Sequence, residues 1–263
     1  MPILHVSDTF RPTVNCHGRE GFETLWNLEA EKAISSQRTS DVATIRVPLG
    51  DGTHLEAYRK RYWYPGWKSP MKGLLRNTFF GSSRAAKEFC NLEVLNRLGC
   101  SLVRPIALGE DRTVRFLRRA LILTESMRNT IALDRFLADP RETRCPVQRR
   151  RRLAAALGNW VRTLHDRGFC DRDFFARNIL VHFAEGERFA FSKIDSGAAS
   201  FGKAQPGSGR LFYRDLADLD RDVRRTVSRS DRLRFLLAYL ATSGVDGEVR
   251  RLIRELAAFR GVE

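Results

Sequence analysis

The chain has 263 residues, 43% of them apolar and 29% charged, which allows one two-lobed domain or two small ones with a sizeable core and excludes a chain disordered throughout. Its net charge of +15 favours anionic partners: nucleic acid, anionic lipid headgroups, or phosphorylated and carboxylated sugars. Five cysteines with no C-x-x-C spacing argue against a disulfide framework or zinc site, and the longest strongly apolar stretch, residues 235–241, is too short to span a bilayer.

The start, MPILHVSDTFRP, lacks the basic residues and long apolar run of a signal peptide, so a cytoplasmic protein with reduced thiols is expected. Residues 1 to about 25 carry no firm secondary-structure signal. Residues 29–46 suggest a strand, a polar turn over 35–41 and a second strand. Leu49-Gly50-Asp51-Gly52 is a hairpin signal, and the alternation over 54–62 predicts a third strand ending in the aromatic, proline-containing turn WYPGWKSP. A helix is predicted over 82–98, capped by Ser82 or Ser83 and stopped by Gly99, with Ala85, Phe89, Leu92, Leu95 and Leu98 near one face. Strands follow at 103–109 and 120–125, and helical structure resumes at 133–138.

The spacing predicts a long helix over 146–167, with Pro146 in its first turn and Leu153, Leu157, Trp160, Val161 and Leu164 on its buried face. Gly168 ends it, and two or three helices are expected from 211 onward. Strands with one helix, then mostly helices, give an α+β class with a small N-lobe and a larger helical C-lobe. The run Arg149 to Arg152 reads as a solvated helix face, not a nucleic-acid patch.

The chemistry concentrates in DRDFFARNIL, residues 171–180, and KIDSG, residues 193–197. Asp173 and Asn178 are five apart and Asp195 lies seventeen beyond Asn178, the spacing of a kinase catalytic loop and its metal-binding turn. Asp173 would orient an acceptor hydroxyl and take its proton. Asn178 and Asp195 would offer hard oxygens to magnesium. Lys60 would reach nucleotide phosphates from the third predicted strand. Glu88 shares a helix face with Leu92 and Leu95, where a carboxylate is costly unless paired, so a Lys60–Glu88 ion pair is expected; Glu93 is the rival on a more polar side. No glycine-rich phosphate loop is visible, and the turn at 35–41 takes its place, with Ser36 a candidate phosphate contact.

Taken together these segments resemble the lipopolysaccharide core kinases, which phosphorylate heptose or Kdo sugars and have a protein-kinase-like fold. The resemblance covers roughly residues 30–240. It runs through AYRKRYWYPGWK, KEFCNLEVLNRLG, PIALGE, the hinge-like ILTESMRNTIALDRFLAD, LHDRGFCDRDFFARNIL, KIDSG, RDLADL and SRSDRLRFLLAYL. It implies one bilobal kinase-like domain over 1–263, with a β-rich N-lobe bearing one helix at about 25–125 and a helical C-lobe at about 126–263. It implies ATP and Mg2+ as cofactors, Lys60 and Glu88 as the nucleotide-anchoring pair, Glu125 in the hinge-like segment as a further nucleotide contact, and Asp215 as a structural acid holding the catalytic loop. The implied partner is a lipopolysaccharide core sugar or other anionic acceptor, met through peripheral contact with the anionic inner face of the cytoplasmic membrane.

The chain departs from the pattern at three places. Asp171 stands where many relatives have His, Asn178 where some sugar kinases have His, and the segment after Gly197 is short and has no Ala-Pro-Glu. A small atypical Ser/Thr protein kinase is the alternative expectation. A dead scaffold or nucleic-acid binder is disfavoured by the presence of Lys60, Asp173, Asn178 and Asp195.

Overall fold

The structure is a computed structural model that describes residues 2–14, 16–64, 81–139, 147–184, 188–202 and 210–260. The chain divides into two compact units, Met1–Asn96 with Val103–Met127, and Arg97–Leu102 with Arg128–Glu263. The proline-containing turn from residue 65 on, Cys145 and Pro146 lie outside the described residues.

The first unit is built on a six-stranded antiparallel sheet. Its strands are β1 (Pro2–Val6), β2 (Lys32–Gln37), β3 (Ser40–Pro48), β4 (His54–Trp63), β5 (Pro105–Thr113) and β6 (Phe116–Glu125), in the order β1-β5-β6-β4-β3-β2. Helices α1 (Gly18–Asn27) and α2 (Arg84–Arg97) complete the unit. Successive side chains on a strand point to opposite faces, so β4 serves two masters. Arg59 and Arg61 reach α1, whereas Lys60 reaches α2.

On the α1 face, Phe22, Leu25 and Trp26 pack with Ile45, Val47, Ala57, Leu121 and Leu123 in one apolar core. Arg59 is buried there and donates from Nη1 to the carbonyls of Leu25, Trp26 and Leu28, satisfying acceptors that the end of α1 leaves open. Burial pulls the Arg59 guanidinium down to about 10, with the neighbouring Arg61 adding to the effect and Asp41 opposing it, so it remains charged at neutral pH. On α2, the Ser83 hydroxyl accepts from the Ala86 N–H at 2.9 Å, which identifies Ser83 as the cap, and Gly99 follows with φ +66°.

Two sequence expectations change. Strand β1 and helix α1 occupy residues that carried no firm signal. The polar turn expected over 35–41 contracts, because Ser36 pairs with Asp41 and Gln37 with Ser40 in a continuing ladder. Asp41 is held there by Arg61 of β4, whose Nε lies 3.0 Å from its Oδ1.

The second unit contains β7 (Thr130–Ala132), α3 (Leu133–Ala138), α4 (Val147–Asp166), β8 (Phe169–Asp171), β9 (Ile179–Ala184), β10 (Arg188–Lys193) and β11 (Ala199–Phe201). Helices α5 (Arg210–Val223), α6 (Arg229–Leu240) and α7 (Gly247–Arg260) end it. Strands β10, β9 and β7 form one small sheet and β11 pairs with β8 in another. Leu153, Leu157, Val161 and Leu164 are the buried stripe of α4. Helix α6 crosses α4 at Gly158, where a Cβ would stand 2.4 Å from the Phe235 carbonyl oxygen, so only glycine permits that approach. Among the described residues no helix is long and apolar enough to cross a membrane.

Candidate active site

In the first unit the Lys60 ammonium lies 2.8 Å from Oε1 of Glu88. The Glu88 side chain is 2% exposed and that of Lys60 is 18% exposed. A buried carboxylate without a partner would be strongly unfavourable, so α2 can place Glu88 on its apolar face only because β4 delivers a cation to it. The Tyr62 hydroxyl, two residues along the same face of β4, stands 3.5 Å from Oε2. Glu93, the rival carboxylate, is only half-buried.

Ser36 lies on β2, an edge strand whose six residues are all exposed, opposite Asp41. Glu125 closes β6. Its N–H donates to the Arg104 carbonyl at 2.9 Å, and its carboxylate accepts from Arg104 Nε at 2.6 Å and Nη2 at 2.8 Å. The Glu125 carboxylate is thus engaged in a bidentate ion pair at the end of the sheet.

In the second unit the loop after β8 is fixed chiefly through its backbone. Asp215, buried on α5, accepts from the Asp171 N–H at 2.8 Å. Asp222, near the end of the same helix, accepts from the Ala176 N–H at 2.8 Å. Asp173 donates its N–H to Oδ1 of Asp171 at 3.0 Å, and its carbonyl accepts from Nδ2 of Asn178 at 3.0 Å. Asn178 closes a short 3-10 turn (Ala176–Asn178), and its carbonyl accepts from the Ile194 N–H at 2.9 Å. The Asn178 side chain and backbone carbonyl together therefore link Asp173 to the residue before Asp195.

Asp195 adopts the left-handed region, φ 54° and ψ 47°, just ahead of a second 3-10 turn (Ser196–Ala198). Aspartate tolerates that conformation better than most residues, yet it still costs on the order of 1 kcal/mol. Strain of this kind persists where the surrounding structure imposes it. Two residues before Asp195 stands Lys193, the partner of Asp171. Their side chains are fully buried, with Nζ of Lys193 2.6 Å from Oδ2 of Asp171. The same ammonium donates to the Ile194 carbonyl at 2.8 Å.

Burial raises the Asp215 carboxyl above its ordinary value, opposed by His165, whose Nε2 is 3.6 Å away. His165 in turn meets the Tyr239 hydroxyl at 2.9 Å through Nδ1. Cys170, beside the loop, has its thiol pushed up to about 12, by burial first and Asp215 second. It is protonated at neutral pH and is no nucleophile.

The donors suit magnesium. Nδ2 of Asn178 is committed to the Asp173 carbonyl, which leaves the amide oxygen as the end presented to a ligand. With the Asp195 carboxylate this makes a sparse set of hard oxygens, the kind that leaves room for phosphate oxygens and water around that ion. Sequence reasoning did not single out Lys193 or Asp222. A lysine two residues before Asp195, at the end of a strand, was the one available signal for the first; the second has none, since Asp222 acts across 46 residues.

Comparison with known proteins places these features in a family. The family model described as Lipopolysaccharide kinase (Kdo/WaaP) family matches residues 24–239. Lipopolysaccharide core heptose(I) kinase WaaP of Pseudomonas aeruginosa is 28% identical over 249 residues, spanning 90% of this chain and 87% of that protein. The 3-deoxy-D-manno-octulosonic acid kinase of Haemophilus influenzae is 30% identical over 155 residues, spanning 55% and 60%. A solved structure of WaaP in complex with acyl carrier protein shares the fold, with a TM-score of 0.69 and 24% identity over 98% of this chain and 95% of that one. A sheet-rich first unit, a helical second unit and a match over most of the sequence converge: this chain is a kinase and belongs to the lipopolysaccharide kinase (Kdo/WaaP) family.

Proposed function

We propose that this kinase transfers the γ-phosphoryl group of ATP to a hydroxyl of a heptose or Kdo sugar in the lipopolysaccharide core, at the inner face of the cytoplasmic membrane. The observation that carries the reading is the pair of hydrogen bonds joining Asp173, Asn178 and Ile194, the neighbour of Asp195: one from the Asn178 side chain to the Asp173 carbonyl, one from the Ile194 N–H to the Asn178 carbonyl. Asp173 is the base that orients the sugar hydroxyl and accepts its proton. Asn178 and Asp195 would hold magnesium, which would neutralise charge developing on the transferred phosphoryl group. Lys60, which Glu88 holds within the first unit, is the residue assigned to the α/β phosphates. Ser36 and Glu125 are the weaker assignments: Ser36 is a hydroxyl on the β2 edge, and the Glu125 carboxylate is already engaged by Arg104.

The longer match to a heptose kinase makes heptose the first acceptor to test. A charge of +15 supports docking on an anionic membrane surface that presents the acceptor. Mass spectrometry of core lipopolysaccharide from cells with and without the gene tests the assignment. One phosphate is expected to disappear from a core sugar and to return with the wild-type gene but not with Asp173→Ala. An unchanged core would rule out this acceptor and turn attention to protein substrates.

A cavity of about 230 Å3 in the second unit supports a further partner, an acyl carrier protein of the kind bound by the structural relative. Leu133, Leu153, Leu157, Leu216, Phe235 and Leu236 make it apolar, and Arg149 and Arg232 also line it. Such a lining suits an acyl chain. Ala154→Trp, which fills the cavity, should abolish binding of acylated carrier while leaving its response to unacylated carrier unchanged. Equal binding of acylated carrier by this variant and the wild type would exclude the cavity as the acyl site.

A further inference from the structure

Two buried charges in the second unit are costly to desolvate and have no place in the transfer chemistry. Asp171 and Lys193 are both 0% exposed and form an ion pair at 2.6 Å. Stability alone does not require such a pair, because an apolar pair of similar volume often serves as well. What distinguishes it is where its remaining atoms go.

Asp171 ends β8 and Lys193 ends β10, strands of two different sheets. Oδ1 of Asp171 accepts from the Asp173 N–H at 3.0 Å. The Lys193 ammonium donates to the Ile194 carbonyl at 2.8 Å. The Ile194 carbonyl and the Asp195 N–H belong to one planar peptide group, so holding the first fixes the orientation of the second. Asp195 then leaves that plane at φ 54°, the left-handed region. A continuous polar chain thus runs from the Asp173 backbone, through the ion pair, to the peptide plane that aims Asp195.

We infer that Asp171 and Lys193 are positioning residues that hold Asp195 in its left-handed conformation and set its carboxylate relative to Asp173. They touch neither nucleotide nor acceptor. Their effect passes through Asp195, so they govern metal affinity and turnover. This inference rests on the reading of Asp195 as a magnesium ligand. Histidine at position 171 would supply no carboxylate to the ammonium, so the two residues are expected to function as a unit.

The test is the double variant Asp171→Asn with Lys193→Met. It removes both charges, so no unpaired charge stays buried, and Asn keeps an oxygen for the Asp173 N–H. Binding of a fluorescent ATP analogue is titrated with magnesium, alongside thermal unfolding and kcat and KM for ATP. The double variant should unfold near the wild-type temperature. It should need at least about tenfold more magnesium for half-maximal binding, the usual scale when a group orienting a metal ligand is lost. Magnesium-independent binding and KM for ATP at saturating magnesium should stay near wild type, while kcat falls; a role confined to stability would move none of these.

Asp195→Asn is the reference. If it raises the magnesium requirement and the folded double variant does not, the positioning role is wrong and the metal-site reading stands. If neither variant raises it, the metal-site reading fails and the inference falls with it. Should the double variant not fold, the isosteric Asp171→Asn alone gives the same readout, and a wild-type magnesium dependence in that variant overturns the inference.

Discussion

Asp173→Ala should lower kcat for phosphoryl transfer by about 10³-fold, within the range expected for loss of a positioned general base. The melting temperature should change little, for a structural reason. Two bonds that hold this position in the loop run from its N–H to Asp171 and from its carbonyl to Asn178. Alanine keeps both, so the lost group is the carboxylate alone. Nucleotide affinity should also persist, because the groups proposed to bind phosphate and magnesium lie on other residues. Steady-state kinetics with thermal unfolding of the same sample checks the prediction. Near-normal turnover by a folded variant would remove Asp173 from the base role.

Asp195→Asn should lower kcat by about 100-fold or more and raise the magnesium concentration needed for half-maximal activity by at least about tenfold. Asparagine is nearly isosteric and adopts the left-handed region as readily as aspartate, so backbone strain is not the cause of the loss. What disappears is one negative charge and one carboxylate oxygen on a hard cation. Manganese, which binds oxygen and nitrogen donors more tightly, should restore part of the rate. An unchanged magnesium requirement would show that the cation is held elsewhere.

Much of the fold was legible because its elements carry local periodicity. The stripe Leu153, Leu157, Val161 and Leu164 marks α4, and a serine at 82 or 83 with a glycine at 99 marks the two ends of α2, the structure choosing Ser83. The closeness of Asp173 and Asn178 was legible as a spacing, and a hydrogen bond joins the two. What stayed hidden depends on contacts distant in sequence. Helix α1 contains two glycines and has no side-chain cap at His17, so its propensity is poor. It holds because Arg59, more than thirty residues away, donates to three carbonyls at its C-terminal end, and because Gly21 lets Cys16 approach where a Cβ would stand 2.8 Å from the backbone.

The turn at 35–41 was misplaced for a related reason. Its polar residues are turn formers in isolation, but Asp41 is captured by Arg61, and the strand ladder extends to meet it. The Asp171–Lys193 pair joins positions 22 apart on separate sheets, and no periodic pattern in the sequence connects them. Glu88 was different. Its place on an apolar helix face signalled that a cation had to approach, and Lys60 does so at 2.8 Å.

The most direct measurement is transfer of labelled γ-phosphate from ATP, by the purified protein, to core lipopolysaccharide that lacks its phosphate. With magnesium present, label is expected in a core sugar with the wild-type protein and not with Asp173→Ala. Label confined to protein, or equal labelling of the sugar by the two proteins, would contradict the account.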